Sequence, residues 1–230
     1  MNHINLDSHA EKLSKKVNRI PTKREKLTNK AVKYVADLMA AAATTAPKSK
    51  GFDDLTIEIV SGAGIRQIAK EIKKMRQEDL ISQTFWFLEP DAEAVTESAA
   101  IFLIGIHAKR PPLTLDCQAC GFETCADYEE AIRQNKTTAL CAFKILDLGI
   151  ALCSATTVAA QHFIDNRMMW SVGMAAQRLD LIKGDIVLGI PLAAKGSNPF
   201  FDRYLRFFLQ RARDQGKNLT QVLRDQGFNL

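Results

Sequence analysis

The sequence has little of what marks a secreted or membrane-spanning chain. Its first 19 residues are polar and basic and lack the apolar stretch of a secretion signal, and no uninterrupted apolar run approaches the ~20 residues that a membrane helix requires. Hydrophobic residues make up 47% and charged residues 25% of the 230 residues, which is ordinary for a soluble globular protein. We therefore expect a cytoplasmic protein without a membrane partner.

The sequence also lacks the usual signatures of phosphate loops and nucleic-acid-binding arms. Ser-Gly-Ala-Gly at 61–64 joins a predicted strand to a helix, but neither G-x-G-x-x-G nor G-x-x-x-x-G-K-[ST] is present. Residues 1–34 carry nine lysines and arginines against three acids, yet no aromatic side chain that could stack on a base occurs before Tyr34. We predict a solvated basic arm over residues 1–26 and no nucleic-acid partner.

Hydrophobic periodicity predicts one α+β domain over residues 27–230. Apolar residues alternate or run continuously where strands are predicted, and they recur every three or four residues where helices are predicted. The long apolar helix at 143–163 is expected at the centre of the core. Strands are predicted at 55–60, 99–106 and 185–192, and helices at 28–45, 65–77, 91–97, 126–134, 143–163, 168–181, 199–213 and 218–224.

Four of the five cysteines fall close together in the pattern C-x2-C-x4-C-x15-C, at Cys117, Cys120, Cys125 and Cys141. In a reducing cytosol such clustered thiols stay open and bind metals rather than form disulfides. An iron–sulfur cluster takes several thiolates from a tight loop and one from elsewhere, and Gly121 allows the loop to turn. We predict that residues 113–143 form an insert that binds a four-iron four-sulfur cluster.

Two other interpretations of these cysteines stay open. Four thiolates also suit tetrahedral zinc, although zinc knuckles usually present two C-x-x-C pairs and this chain has one. The four cysteines could also hold no metal. The fifth cysteine, Cys153, lies in the predicted apolar helix and is expected to be a small buried hydrophobic residue.

The cysteine motif resembles a known iron–sulfur module. Cys117-Gln-Ala-Cys-Gly-Phe-Glu-Thr-Cys125 is similar to the C-x-x-C-G-x-x-T-C module of electron-transfer complex subunits and corrinoid proteins. Residues 39–51, 147–169 and 189–203 resemble a family of ferredoxin-domain-containing proteins of unassigned function. The resemblance spans roughly residues 30–205 and implies an iron–sulfur protein.

That family in turn looks like a distant relative of flavin-dependent nitroreductases. The resemblance implies a mixed sheet packed by long helices, a homodimer with interlocked subunits, and flavin mononucleotide (FMN) at the subunit interface. The paired arginines that grip the flavin phosphate in nitroreductases have no counterpart here. Lys48, Arg167 and Lys195 are the cations near predicted turns that could replace them. Surface charge is the alternative for the two lysines, and an ion pair with Asp165 is the alternative for Arg167.

Three functions are therefore compatible with the sequence. The first is electron transfer through the cluster to a redox partner protein that the sequence does not identify. The second is a flavin-dependent reductase whose cluster relays electrons to FMN. The third is a zinc-stabilised adaptor whose basic arm docks on a partner. The sequence identifies no catalytic residue for any of them.

Overall fold

The computed structural model describes residues 22–78, 85–110 and 112–228. Strands are β1 Leu55–Val60, β2 Ala100–Ile106, β3 Asp165–Asn166 and β4 Ile186–Ala193. Helices are α1 Lys23–Thr45, α2 Ala63–Gln77, α3 Leu88–Val95, α4 Cys125–Arg133, α5 Ala142–Gln161, α6 Trp170–Arg178, α7 Arg203–Asp214 and α8 Leu219–Asp225, with a 3-10 turn at Ser49–Gly51. Each predicted helix and strand has a counterpart, so the α+β class is confirmed.

The four strands form one sheet in the order β1-β2-β4-β3. Ile106 pairs with Leu55 on one side and with Ile186 on the other, and both pairings are antiparallel, as is that of β3 with β4. The mixed sheet that we predicted is therefore wrong. A continuous apolar strand such as β2 is typical of parallel sheets buried on both faces, but here helices cover both faces of an antiparallel sheet.

Alternate side chains of β2 enter two separate cores. Phe102 and Ile104 pack with helices α1 and α5 on one face of the sheet. Ile101 and Leu103 pack with helices α2, α3 and α6 on the opposite face. The domain is thus a three-layer sandwich with β2 at its centre. Aromatic residues of α7 join Trp86 and α8 in a third, smaller cluster.

Helix α1 begins earlier than its apolar pattern predicts. Thr22 and Glu25 form a capping box, in which the Thr22 hydroxyl accepts from the Glu25 amide and the Glu25 carboxylate accepts from the Thr22 amide. Thr28, the first residue of the predicted helix, lies inside the observed helix and donates to backbone carbonyls. Residues 22–26 therefore belong to α1 or its cap, and the rest of the predicted basic arm lies outside the described residues.

Helix α5 is half-buried rather than central. Its inner face packs on the sheet and α1, while Leu146 and Ile150 on the outer face are 59% and 42% exposed and Cys153 is also exposed. The predictions of a central helix and of a buried Cys153 are therefore wrong, because both faces of this helix are apolar and the sequence does not distinguish them. Within the described residues, α5 alone is long and apolar enough to cross a membrane, a weak criterion that core helices of soluble proteins also meet.

Helix α6 lies against the backbone of β4 at Gly173. A Cβ added there would approach the Val187 carbonyl oxygen to 2.0 Å and the Leu188 Cα to 2.8 Å. We expect Gly173→Ala to destabilise the protein by about 1–3 kcal/mol or more through overpacking, measured as a lower midpoint of urea unfolding. Gly196→Ala is the matched control, because nothing lies within 4 Å of its Cβ position. Equal midpoints for the two variants would contradict this packing.

Candidate metal centre and cationic cavity

The four clustered cysteines lie on three segments that follow β2. Cys117 and Cys120 belong to the loop that precedes α4, Cys125 is the first residue of α4, and Cys141 is the N-cap residue of α5. All four are free thiols, with Cys117 exposed and the other three half-buried. Among the residues that the structure describes, no group of three or more His, Cys, Asp or Glu side chains is arranged to hold a metal ion.

The loop that carries Cys117 and Cys120 has an unusual backbone. Thr114, Asp116 and Gln118 have φ of 53°, 45° and 60°, and Gly121 has φ of 86°. The Gly121 amide donates to the Gln118 carbonyl at 2.9 Å, which closes a tight turn around Cys120. Non-glycine residues in the left-handed region are uncommon and gather at ligand clamps. The expected role of Gly121 as the turn residue of this loop is consistent with that conformation.

Cys125 lies at the N-terminus of α4, as the sequence predicted to within one residue. Its amide donates to Asp116 Oδ1 at 2.7 Å, and the Thr124 hydroxyl accepts from the Asp127 amide at 3.1 Å to cap the helix. The hydrogen bond from the Cys125 amide thus joins the start of α4 to Asp116 in the cysteine loop.

Tyr128 connects the cysteine loop to the Cys141 segment. Its hydroxyl lies 3.2 Å from the Ala108 carbonyl oxygen and 3.3 Å from that of Ala139, and Ala108 also accepts from the Cys141 amide at 3.3 Å. Burial raises the pKa of Tyr128 to about 12, and the charges of Cys141 and Cys120 add to the increase. Tyr128 therefore links α4 to the segment that carries Cys141.

Lys48 is held at the C-terminus of α1. Its Nζ atom donates to the carbonyl oxygens of Thr44 at 2.6 Å, Ala46 at 3.0 Å and Ala43 at 3.3 Å, and its side chain is only 6% exposed. These carbonyls have no partner within the helix, and a lysine there also complements the negative end of the dipole. The contacts made by Lys48 are therefore those of a helix cap. Its predicted role at a flavin phosphate stays a prediction.

Arg167 and Lys195 lie near β3 and the end of β4. The Arg167 guanidinium stacks over the Phe201 ring at 4.7 Å from its centroid and makes no ion pair with Asp165 in the described part of the chain. Asp165 instead accepts from the Lys195 amide at 3.3 Å, while the Lys195 ammonium pairs with Glu97. The alternative of an Arg167–Asp165 ion pair is thus replaced by a cation–π contact. The flavin role of both cations stays a prediction.

A cationic cavity that the sequence analysis missed lies between α1, α2, α3 and α7. Its volume is about 910 Å³, and five cations line it: Lys33, Arg66, Lys73, Arg203 and Arg206. Glu93 and Glu97 also line it; burial raises the pKa of Glu93, and Lys73 opposes that rise. No local motif could have revealed this site, because its cations come from three separate helices.

Buried polar groups border this cavity. Arg203 Nε lies 2.5 Å from Asp91 Oδ1, and the Ser171 hydroxyl donates to Asp91 Oδ2 at 2.6 Å. These groups fix Arg203 in place at the cavity edge, since a buried charge is held by its ion pair and hydrogen bonds. Ser98 Oγ also belongs to the lining; it is buried and has no hydrogen-bond partner among the described residues. A bound ligand could supply that partner.

Several solved flavoproteins and nitroreductases share part of this backbone. A nitroreductase with bound FMN from Desulfitobacterium hafniense is 13% identical, with 78% of this chain and 81% of that chain covered and a TM-score of 0.47. A BluB-like flavoprotein from Clostridium difficile 630 is 15% identical, with 79% and 84% covered and a TM-score of 0.48. Nitroreductase A from Vibrio parahaemolyticus is 16% identical, with 73% and 60% covered and a TM-score of 0.45. At these scores the similarity carries no argument about function.

Sequence comparison gives a stronger relationship. The family model described as "Uncharacterized protein containing a ferredoxin domain (DUF2148)" matches residues 137–203, which include Cys141 but not the other three clustered cysteines. An uncharacterized protein from Archaeoglobus fulgidus is 43% identical over 180 residues, which cover 76% of this chain and 93% of that protein. On this match, the chain belongs to the family of uncharacterized proteins containing a ferredoxin domain.

Proposed function

We propose that this protein is a cytoplasmic electron-transfer protein that carries one four-iron four-sulfur cluster on Cys117, Cys120, Cys125 and Cys141. The observation that carries the proposal is that Tyr128 contacts both segments: its ring packs on Phe122 of the cysteine loop, and its hydroxyl shares the Ala108 carbonyl oxygen with the Cys141 amide. The ferredoxin domain in the family description supports the same chemistry.

The donor set fits an iron–sulfur cluster by its chemistry. Four free thiols are available, which is the number of cysteine ligands that a four-iron four-sulfur cluster takes from a protein. The cluster, when bound, would supply one-electron exchange. Cys117 is the exposed member of the set, so a redox partner protein would approach from its side. The half-buried cysteines would shield the opposite side of the cluster from water, which helps to set its potential.

Single cysteine replacements test the cluster directly. In protein purified without oxygen, we expect about four iron and four sulfide per chain, with broad absorption near ~400 nm. Cys120→Ser and Cys141→Ser each remove a thiolate ligand, so we expect both to lose most of the iron and sulfide. Cys153→Ser is the matched control and should keep both, because Cys153 lies on the outer face of α5. A colourless wild-type protein with one zinc per chain would favour the zinc-stabilised adaptor instead.

A flavin-dependent reductase is the second candidate, and the cationic cavity favours it. A volume of about 910 Å³ lies within the range of small-molecule sites, roughly 300–1,000 Å³. The cations Lys33, Arg66, Lys73 and Arg206 suit the phosphate of FMN, and Ser98 Oγ lacks a partner that a ligand could provide. These four cations are better candidates to bind the FMN phosphate than Lys48, because the Lys48 ammonium already donates to three carbonyl oxygens. Bound FMN would supply hydride or single-electron chemistry.

Flavin binding can be measured by FMN fluorescence during titration and by flavin released from the denatured protein. We expect Arg66→Gln and Arg206→Gln to weaken FMN binding by about 10–100-fold, since hydrogen bonds to charged groups contribute roughly 1.5–3 kcal/mol. Lys70→Gln is the control, because Lys70 is exposed on α2 but does not line the cavity. Absence of FMN binding by the wild-type protein would eliminate the reductase and leave the electron-transfer proposal in place.

We also propose that the protein is a homodimer in which a second copy covers the outer face of α5. A groove of about 640 Å³ runs along this face and is lined by Ile145, Leu146, Gly149, Ile150, Cys153, Ser154 and Thr157. None of these side chains is charged, so the same face of a second copy could pack against it without burying an unpaired charge. Burial in a dimer would also remove an exposed apolar patch from water.

The oligomeric state tests this interface. We expect Leu146→Asp to raise the dimer dissociation constant at least about tenfold in sedimentation velocity, because it would place a carboxylate in an apolar interface. Leu27→Asp is the control, since Leu27 is 63% exposed on α1 and lies away from this groove. A wild-type protein that remains monomeric at ~100 μM would refute the dimer.

A further inference from the structure

Tyr128 is the one buried residue of α4. It is 2% exposed and lies one turn after Cys125, on a helix whose other residues are exposed or half-buried. Burial of a phenol costs free energy unless its hydroxyl is hydrogen-bonded, and here the hydroxyl has two carbonyl acceptors, Ala108 and Ala139. The attachment of α4 to the rest of the fold therefore depends heavily on this side chain.

The ring of Tyr128 also contacts the cysteine loop. Phe122, which lies between Cys120 and Cys125 in the chain, packs edge-on against Tyr128 with ring centroids 5.6 Å apart. Such aromatic pairs contribute about 0.5–1.5 kcal/mol beyond the area that they bury. The ring thus holds the loop on one side while the hydroxyl holds the Cys141 segment on the other.

The hydroxyl end of Tyr128 is anchored to the central strand. Ala108 follows β2 closely, and its carbonyl oxygen accepts from both the Tyr128 hydroxyl and the Cys141 amide. Ala139, the second acceptor, lies two residues before Cys141. Removal of the hydroxyl would therefore free α4 from the segment that carries Cys141, while the backbone bond between Cys141 and Ala108 would remain.

We propose that Tyr128 is a positioning residue for the metal centre: it ties the segment that carries Cys141 to the cysteine loop, and by limiting how far these segments can separate it sets the stability and the reduction potential of the bound cluster. This inference rests on the proposed electron-transfer function. Tyr128 would ligate no iron. It would act by fixing the separation of two ligand-bearing segments, as supporting residues do around other metal sites.

The test replaces the hydroxyl alone. Tyr128→Phe keeps the ring that packs on Phe122 and removes the single O–H donor that lies between the Ala108 and Ala139 carbonyl oxygens, whereas Tyr34→Phe removes the same atom from an exposed tyrosine of α1 and is the control. We expect Tyr128→Phe to bind the cluster but to release iron to a chelator at least about tenfold faster, with a shifted midpoint potential and an altered electron paramagnetic resonance spectrum. Tyr34→Phe should match the wild-type protein in all three measurements.

A second variant keeps the proposal testable if Tyr128→Phe does not fold. Phe122→Leu loosens the loop side of the same contact and leaves the Tyr128 hydroxyl and its carbonyl acceptors in place, so iron release should again accelerate. Wild-type iron release and potential in both variants would overturn the role of Tyr128 while the electron-transfer proposal stands. A wild-type protein without any cluster would instead refute the proposed function itself.

Discussion

The burial of β2 on both of its faces is the constraint on which the rest of the structure depends. All seven residues of this strand are buried, and their side chains alternate between the core under α1 and α5 and the core under α2, α3 and α6. Because the strand is held from both sides, Ala108, which follows it, is a fixed point. Tyr128 of α4 and the amide of Cys141 both form hydrogen bonds to the carbonyl oxygen of Ala108. The positions of α4 and of Cys141 therefore depend on how the two faces of the sheet are covered.

The sequence predicts local structure well where one physical signal dominates. The amphipathic pattern of α2 and the apolar run of β2 each identify their element to within a few residues. The prediction of a mixed sheet was wrong because a continuous apolar run indicates that a strand is buried on both faces but does not indicate the direction of its neighbouring strands. The prediction that α5 lies at the centre of the core was wrong for a related reason. Leu146 and Leu148 are equally apolar, but Leu148 is buried and Leu146 is exposed.

Among the candidate functional residues, the four clustered cysteines could be predicted from the sequence, whereas the cationic cavity could not. Thiol spacing is a local pattern, so the four cysteines could be identified from the chain alone. The cavity joins Lys33, Arg66 and Arg206, which are far apart in sequence and meet only because α1, α2 and α7 pack around one end of the domain. Lys48 shows what spacing alone does not reveal: its position beside a turn is visible in the sequence, whereas its contacts with the carbonyl oxygens at the end of α1 are visible only in the structure.

The left-handed backbone of the cysteine loop limits which residues the loop can accept. Thr114, Asp116 and Gln118 each adopt a conformation that costs a non-glycine residue roughly 1–2 kcal/mol. That cost is offset by contacts such as the hydrogen bond from the Cys125 amide to Asp116 Oδ1. Proline, whose φ is fixed near about −65°, cannot occupy any of the three positions. Sequence variation in this loop is therefore restricted to residues that tolerate a positive φ, of which glycine is the least costly.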